Sequence, residues 1–166
     1  MGVNWKTTKN EFPSMIKTLE SINGRKVKVG CLEGEHAWLA AIHEYGCTIK
    51  VTPKMRAYLH HKGLHLKKET ETIVIPERSF LRAGYDKNRK KVLDRTEALL
   101  EDVIGGTMSE EQFLKTVGIL LSSEIKDYAR DLSSPRNHPF TQAQKGSSNP
   151  LVDTGGMIEG ITYKVE

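Results

Sequence analysis

Apolar side chains recur along this chain at two periods, and the switches between them mark its elements. Phe12, Met15, Ile16, Leu19 and Ile22 follow helical spacing and stop at the turn signal Asn23-Gly24, which predicts a helix over residues 11–22. The next residues alternate polar and apolar, as a strand with one buried face does, and predict a strand over 26–32. Trp38, Ile42 and Tyr45 then predict a short helix from Glu35 to Tyr45 closed by Gly46. Alanines at 37, 40 and 41 leave room there for another element to approach closely.

Residues 47–75 read as an extended hairpin or β-arm, with β-rich ends at 48–52 and 70–75. Between those ends Met55, Tyr58 and Leu59 fall at helical spacing, followed by Gly63 and the alternating Leu64-His65-Leu66. Pro76 is placed to open a helix through Glu77-Arg78-Ser79-Phe80-Leu81. After Gly84, the positions Val92, Thr96, Leu99 and Val103, flanked by Leu93, Leu100 and Ile104, predict a long amphipathic helix ending at Gly105-Gly106. Ser109-Glu110-Glu111-Gln112 is a capping box for a second long helix, whose face reads Phe113, Val117, Leu121, Ile125, Tyr128 and Leu132.

Residues 133–149 are polar, hold two prolines and one glycine, and read as a flexible loop long enough to need a purpose. Leu151 to Met157 reads as a turn or short helix, and 158–165 as a closing strand with Ile161, Tyr163 and Val165 on one face. The predicted fold is a single α+β domain over 1–166. It has a mainly antiparallel sheet packed against two long helices, with 47–75 as an inserted arm.

Composition adds a thin core and an uneven charge. Hydrophobic residues make up 37% and charged residues 28%, common in soluble subunits that neighbours complete. No run approaches the roughly eighteen apolar residues of a membrane helix, and Met1-Gly2-Val3-Asn4-Trp5-Lys6 lacks the apolar stretch of a signal peptide. Synthesis in the cytoplasm and no membrane partner are expected. Residues 50–91 hold twelve Lys or Arg against four acids, and the rest of the chain thirteen against seventeen. Within that basic segment Lys87, Arg89, Lys90 and Lys91 are the candidates for contact with DNA or an acidic partner through phosphate or carboxylate charge.

Candidate chemistry is sparse. Cys31 and Cys47 are too few for a disulfide framework and read as small buried apolar residues. His43-Glu44-Tyr45-Gly46-Cys47 misses the H-E-x-x-H zinc pattern at its fifth residue, and Gly63 interrupts His61 and His65, so no metal is expected. There is no nucleophile elbow and no phosphate-binding glycine loop, so neither a catalytic residue nor a cofactor is expected. Leu151-Val152-Asp153-Thr154-Gly155 resembles the active-site loop of retroviral-type aspartic proteases. Only ten residues follow Gly156, too few for a flap and cleft, so the tripeptide is expected to be a turn.

Three segments in order carry a second resemblance. They are Ala40-Ala41-Ile42-His43-Glu44-Tyr45-Gly46, Ile75-Pro76-Glu77-Arg78-Ser79-Phe80-Leu81-Arg82, and Pro150-Leu151-Val152-Asp153-Thr154-Gly155 with Ile161-Thr162-Tyr163-Lys164-Val165. The set resembles the tail-completion and minor tail proteins of tailed bacteriophages, the neck family, whose pattern is roughly A-x-I-H-E-F-G, I-P-x-R-P-F-L and P-L-x-D-T-G-x-L, then S-I-x-Y-x-V. Ser79 stands where that family usually has a second proline, Gly156-Met157-Ile158 replaces its usual run into the last strand, and 47–75 lengthens its short hairpin. The resemblance implies a structural virion protein without a catalytic residue. It would form a homo-oligomeric ring, six-fold to match a tail tube, at the head-tail joint, with tail-tube, terminator and head-connector proteins as partners.

The motif residues that would carry this structural or interface work are His43, Glu44, Tyr45, Gly46, Pro76, Arg78, Phe80, Leu81, Pro150, Leu151, Asp153, Thr154, Gly155 and Tyr163. Chemically, the 43–46 stretch can cap and turn a helix end, and Arg78 can donate to an ion pair beside the Phe80 anchor. Asp153 and Thr154 can bond local backbone N–H groups. Ordinary local structure explains each of these residues as well as an interface does. A nucleic-acid-binding module built on 50–91 is the alternative from a different class.

Overall fold

A computed structural model describes residues 12–166. The reading of Met1 to Lys6, and Glu11 at the start of the first predicted helix, lie outside the described residues. In chain order the elements are α1 (Phe12–Ile22), β1 (Val27–Gly30), α2 (Gly34–Tyr45), β2 (Cys47–Lys50), α3 (Pro53–His61), β3 (Thr72–Ile75), α4 (Phe80–Ile104), α5 (Glu110–Asp131), α6 (Pro139–Lys145), α7 (Gly156–Glu159) and β4 (Thr162–Val165). The fold is α+β, with antiparallel strand pairs and the two long helices packed on each other.

The strands form two separate two-stranded ladders where the sequence pattern suggested one sheet. β1 pairs with β4 in the register Val27↔Val165 to Gly30↔Thr162, and β2 pairs with β3 from Cys47↔Ile75 to Lys50↔Thr72. The first ladder lies on α5 inside the body, while the second projects with α3 as the arm. Alternation predicts a strand and its buried face but not its partner, so pairing was free to split.

The two long helices hold the body together. α5 starts with the predicted capping box: the Ser109 hydroxyl accepts from Gln112 N, and the Gln112 side chain accepts from Ser109 N. Its buried stripe, however, is Phe113, Leu114, Gly118, Ser122, Ile125 and Ala129, while Val117, Leu121, Tyr128 and Leu132 are only half-buried. Small residues sit where neighbours come closest. A Cβ built on Gly118 would intrude on the Tyr163 ring of β4, so glycine there admits the ladder onto the helix. Gly84 likewise faces Tyr128, and α4 runs unbroken through it from Phe80, where the pattern placed the long helix only after Gly84.

Two apolar clusters result. Phe80, Ala40, Ile125, Ala129, Leu151, Met157, Ile158 and Ile161 make one; Val103, Phe113 and Leu114 make the other, with Ile22, Val27 and Val165 packed on it. Ile158 is thus a core residue of α7, and the closing strand begins only at Thr162. Of the predicted α1 stripe, Met15 and Ile22 are half-buried, while Ile16 and Leu19 rim an open apolar groove with Leu100 and Phe113.

Three further expectations change. Pro76 does not open a helix: residues 76–79 are a connector and α4 starts at Phe80. The stretch 133–149 is not a bare flexible loop, since Pro139 at the first turn and left-handed Gly146 at the end bound α6. Cys31 and Cys47 are half-buried free thiols, and burial pushes the Cys31 thiol up while its Sγ–H donates to Met157 O at 3.4 Å. No described helix is long and apolar enough to cross a membrane.

Candidate functional site

The three motif segments, far apart in sequence, meet at one buried polar junction between the end of α2, the start of α4 and the 135–151 connector. Glu44, in the last turn of α2, is only 2% exposed. A buried carboxylate must be fully bonded to be tolerated. Its Oε1 accepts from Ser79 Oγ at 2.9 Å, Arg82 N at 3.1 Å and Arg82 Nε at 2.9 Å, and its Oε2 accepts from Leu81 N at 2.8 Å.

That carboxylate therefore caps α4 from another helix. Ser79, the residue at the N-cap position, makes no cap bond of its own and donates to Glu44 instead. The free N–H groups and positive dipole end of α4 supply what a buried anion needs. Arg82 completes the pair, adding bonds to Glu44 O at 3.1 Å and Glu77 Oε1 at 2.8 Å, and its guanidinium lies 4.9 Å from the centre of the Tyr45 ring.

Arg78 takes the complementary role on the other side. It is 3% exposed, and its backbone N–H donates to His43 O at 2.7 Å. Its Nε donates to Pro135 O at 2.7 Å, its Nη2 to Asn137 Oδ1 at 2.9 Å and Arg136 O at 3.3 Å, and its Nη1 to His43 Nδ1 at 3.3 Å. The expected ion pair of Arg78 is absent: every acceptor is neutral, and the ion pair belongs to Arg82. A planar fork of five donors suits this task, since it binds several carbonyls at once.

His43 is held as the neutral acceptor. Burial first, then the Arg78 and Lys145 charges, lowers its pKa from 6.5 to about 4. Burial likewise lowers Arg78 and, more than any other cause, Lys145.

The connector reaches the third segment through amides and one lysine. Asn137 Nδ2 donates to Pro150 O at 3.1 Å, and Lys145 Nζ donates to Asn149 O at 2.7 Å and Pro150 O at 3.2 Å. Asn149 Oδ1 accepts from Leu151 N and Val152 N, so the Asx turn forms four residues earlier than the Asp153 expected for it. Asp153 is exposed, Thr154 Oγ1 accepts from Gly156 N at 3.4 Å, and Gly155 sits at φ 87° before α7. The Asp-Thr-Gly tripeptide is a turn.

The motif residues thus divide by burial. Glu44, Arg78, Phe80, Pro150 and Leu151 point inward, His43, Pro76, Leu81, Gly155 and Tyr163 are half-buried, and Tyr45, Asp153 and Thr154 reach solvent. Gly46 cannot be replaced without strain: its φ is 72°, and a Cβ there would lie 2.9 Å from both Glu77 N and Ile75 O.

The cationic candidates on α4 are engaged differently. Lys91 pairs with Glu124 at 2.6 Å and Lys87 lies 5.3 Å from the centre of the Tyr128 ring, while Arg89 and Lys90 are exposed and form no ion pair with any described residue. In the arm His60 and His65 meet at 2.7 Å between Nδ1 atoms, and among the described residues no group of three or more His, Cys, Asp or Glu side chains is placed to hold a metal.

Sequence reasoning missed Arg82, Asn137, Lys145 and Asn149. Asn149-Pro150 carried a turn signal, but nothing local marks a residue whose partner is a remote backbone carbonyl. No family model matches the chain, and no curated protein or solved structure matches it either.

Proposed function

We propose that this chain is a structural virion subunit of a tailed bacteriophage, a neck or tail-completion protein that closes into a ring, six-fold to match a tail tube, at the head-tail joint. The supporting observation is the convergence of the three ordered segments on the Glu44 and Arg78 junction. Segments that are weak signals singly are coupled parts of one physical unit, as an inherited pattern would be. In this reading the buried members fix the fold, and Tyr45, the arm and the exposed Asp153-Thr154 turn face neighbours: a second copy, then tail-tube or connector proteins.

The ring reading predicts annular particles in electron micrographs of the purified protein and the chain's presence in purified virions. A protein that is monomeric at every concentration and absent from virions and tails would overturn it. The nucleic-acid reading keeps one favourable observation, that Arg89 and Lys90 are exposed and form no ion pair with any described residue. A mobility shift on DNA that weakens steeply with salt and vanishes on neutralising both would support it.

A further inference from the structure

The arm and the far half of α4 carry opposite charges that form no ion pair among the described residues. Residues 47–75 hold six Lys or Arg against Glu69 and Glu71. Arg56 is used internally, donating to Leu66 O, Lys67 O and Thr70 O. Lys50, Lys54, Lys62, Lys67 and Lys68 are exposed and form no ion pair with any described residue.

On α4, Asp94, Glu97 and Glu101 follow the i, i+3, i+7 spacing of one exposed stripe, and none has an ion pair either. Their nearest cation in sequence, Arg95, turns to Glu124. The stripe also runs against the helix dipole, whose negative end lies at the last turn beside Glu101, where no basic residue is present. Negative charge in that place is mildly unfavourable in a lone chain, and a cation from outside would relieve it.

Among the described residues the two fields do not meet within one molecule. α4 begins four residues beyond the arm, and at about 1.5 Å per residue its carboxylates lie roughly 21 to 32 Å further along the axis. No helix of the body packs extensively against β2, α3 or β3. The arm also leaves apolar surface uncovered, with Val74 66% and Tyr58 59% exposed, and Leu93 beside the acidic stripe is 47% exposed.

We propose that the lysines of one chain's arm dock on the Asp94, Glu97 and Glu101 stripe of a second copy. Two different faces are joined, so the contact is head-to-tail and repeats from subunit to subunit until a ring closes. This names the surfaces for the ring proposed above and rests on that reading. The arm's partner is identified by charge: an acidic helix of the same chain.

A charge swap tests it. Lys62→Glu, Lys67→Glu and Lys68→Glu together reverse the arm, and Asp94→Lys, Glu97→Lys and Glu101→Lys reverse the stripe; all six side chains are exposed, and circular dichroism checks that each variant stays folded. In sedimentation the wild type is expected to assemble at low salt and to weaken at high salt. Each triple variant should weaken self-association at least tenfold, and the six-fold variant should recover it.

Failure of the six-fold variant to reassemble overturns the proposal. So does an assembly untouched by either reversal, which would leave the ring standing on another contact. Loss with the arm reversal alone overturns it too, by assigning the arm to a different anion, DNA included. A wild type that is monomeric throughout removes the contact, and it removes the ring as well when the chain is also absent from virions and tails.

Discussion

The junction around Glu44 and Arg78 and the arm from Cys47 to Ile75 share a border at Gly46 but are held in opposite ways. In the junction a carboxylate and a guanidinium are nearly inaccessible and every side-chain bond is made, with no buried unsatisfied side-chain N or O among the described residues. In the arm no residue is fully buried, and stability comes from one ladder, the Thr52 cap on α3 and the three carbonyls that Arg56 gathers. The difference teaches where residue identity matters. Buried polar groups tolerate few substitutes because a missing partner costs about as much as several ordinary surface changes, whereas an exposed hairpin accepts any residue that keeps its turn and charge.

Breaking the junction should have the largest effect. Glu44→Ala removes the cap of α4 and strands the Ser79, Leu81 and Arg82 donors, and is expected to cost about 3 kcal/mol in urea unfolding. A loss below about 1 kcal/mol would mean that water replaces the carboxylate and that the contrast with the arm is overstated. Next in size, Gly118→Ala drives a methyl group into Tyr163 and should cost about 2 kcal/mol, with the β1–β4 ladder losing hydrogen-exchange protection before the arm does.

Acid should act on the junction through His43. Because the His43 pKa falls from 6.5 to about 4 on folding, the unfolded chain takes up a proton that the folded chain refuses. Stability from this group is complete above about pH 6.5, declines as the pH drops towards 4 and levels off below, by about 1 kcal/mol once solvent screening is allowed for. His43→Gln should flatten that slope in denaturant titrations at stepped pH. Smallest of all, Val74→Ser in the arm should change the stability of the isolated chain by less than about 0.5 kcal/mol. A larger loss would show that the arm is packed after all.

What the sequence made legible was local. α5 announces itself through a capping box and α4 through periodic valines and leucines, both read within a few turns of chain. The closest-packed positions Gly118, Ser122 and Ala129 escaped because a hydrophobic pattern weights size, and close approach selects its absence. Glu44 was placed correctly at a helix end, but its partners lie 35 to 38 residues onward at the start of a different helix. α6 hid within polar sequence, betrayed only by a proline and a glycine seven residues apart. Of the three motif segments, Glu44, Arg78 and Pro150 are joined at one buried junction, which only three dimensions could show, while Asp153, Thr154 and Tyr163 lie outside it.

Gly46 gives the arm a mechanical character. Its close approach to Ile75 O and Glu77 N brings both roots of the hairpin to the same point, with Gly46 two residues from Glu44 and Glu77 one from Arg78. The arm is therefore a cantilever with a clamped base, its direction set before any neighbour arrives. Such a beam surrenders little freedom on docking, and a load applied at its tip is delivered to the first turn of α4. From there α4, a helix of 25 residues, runs on past Asp94, Glu97 and Glu101.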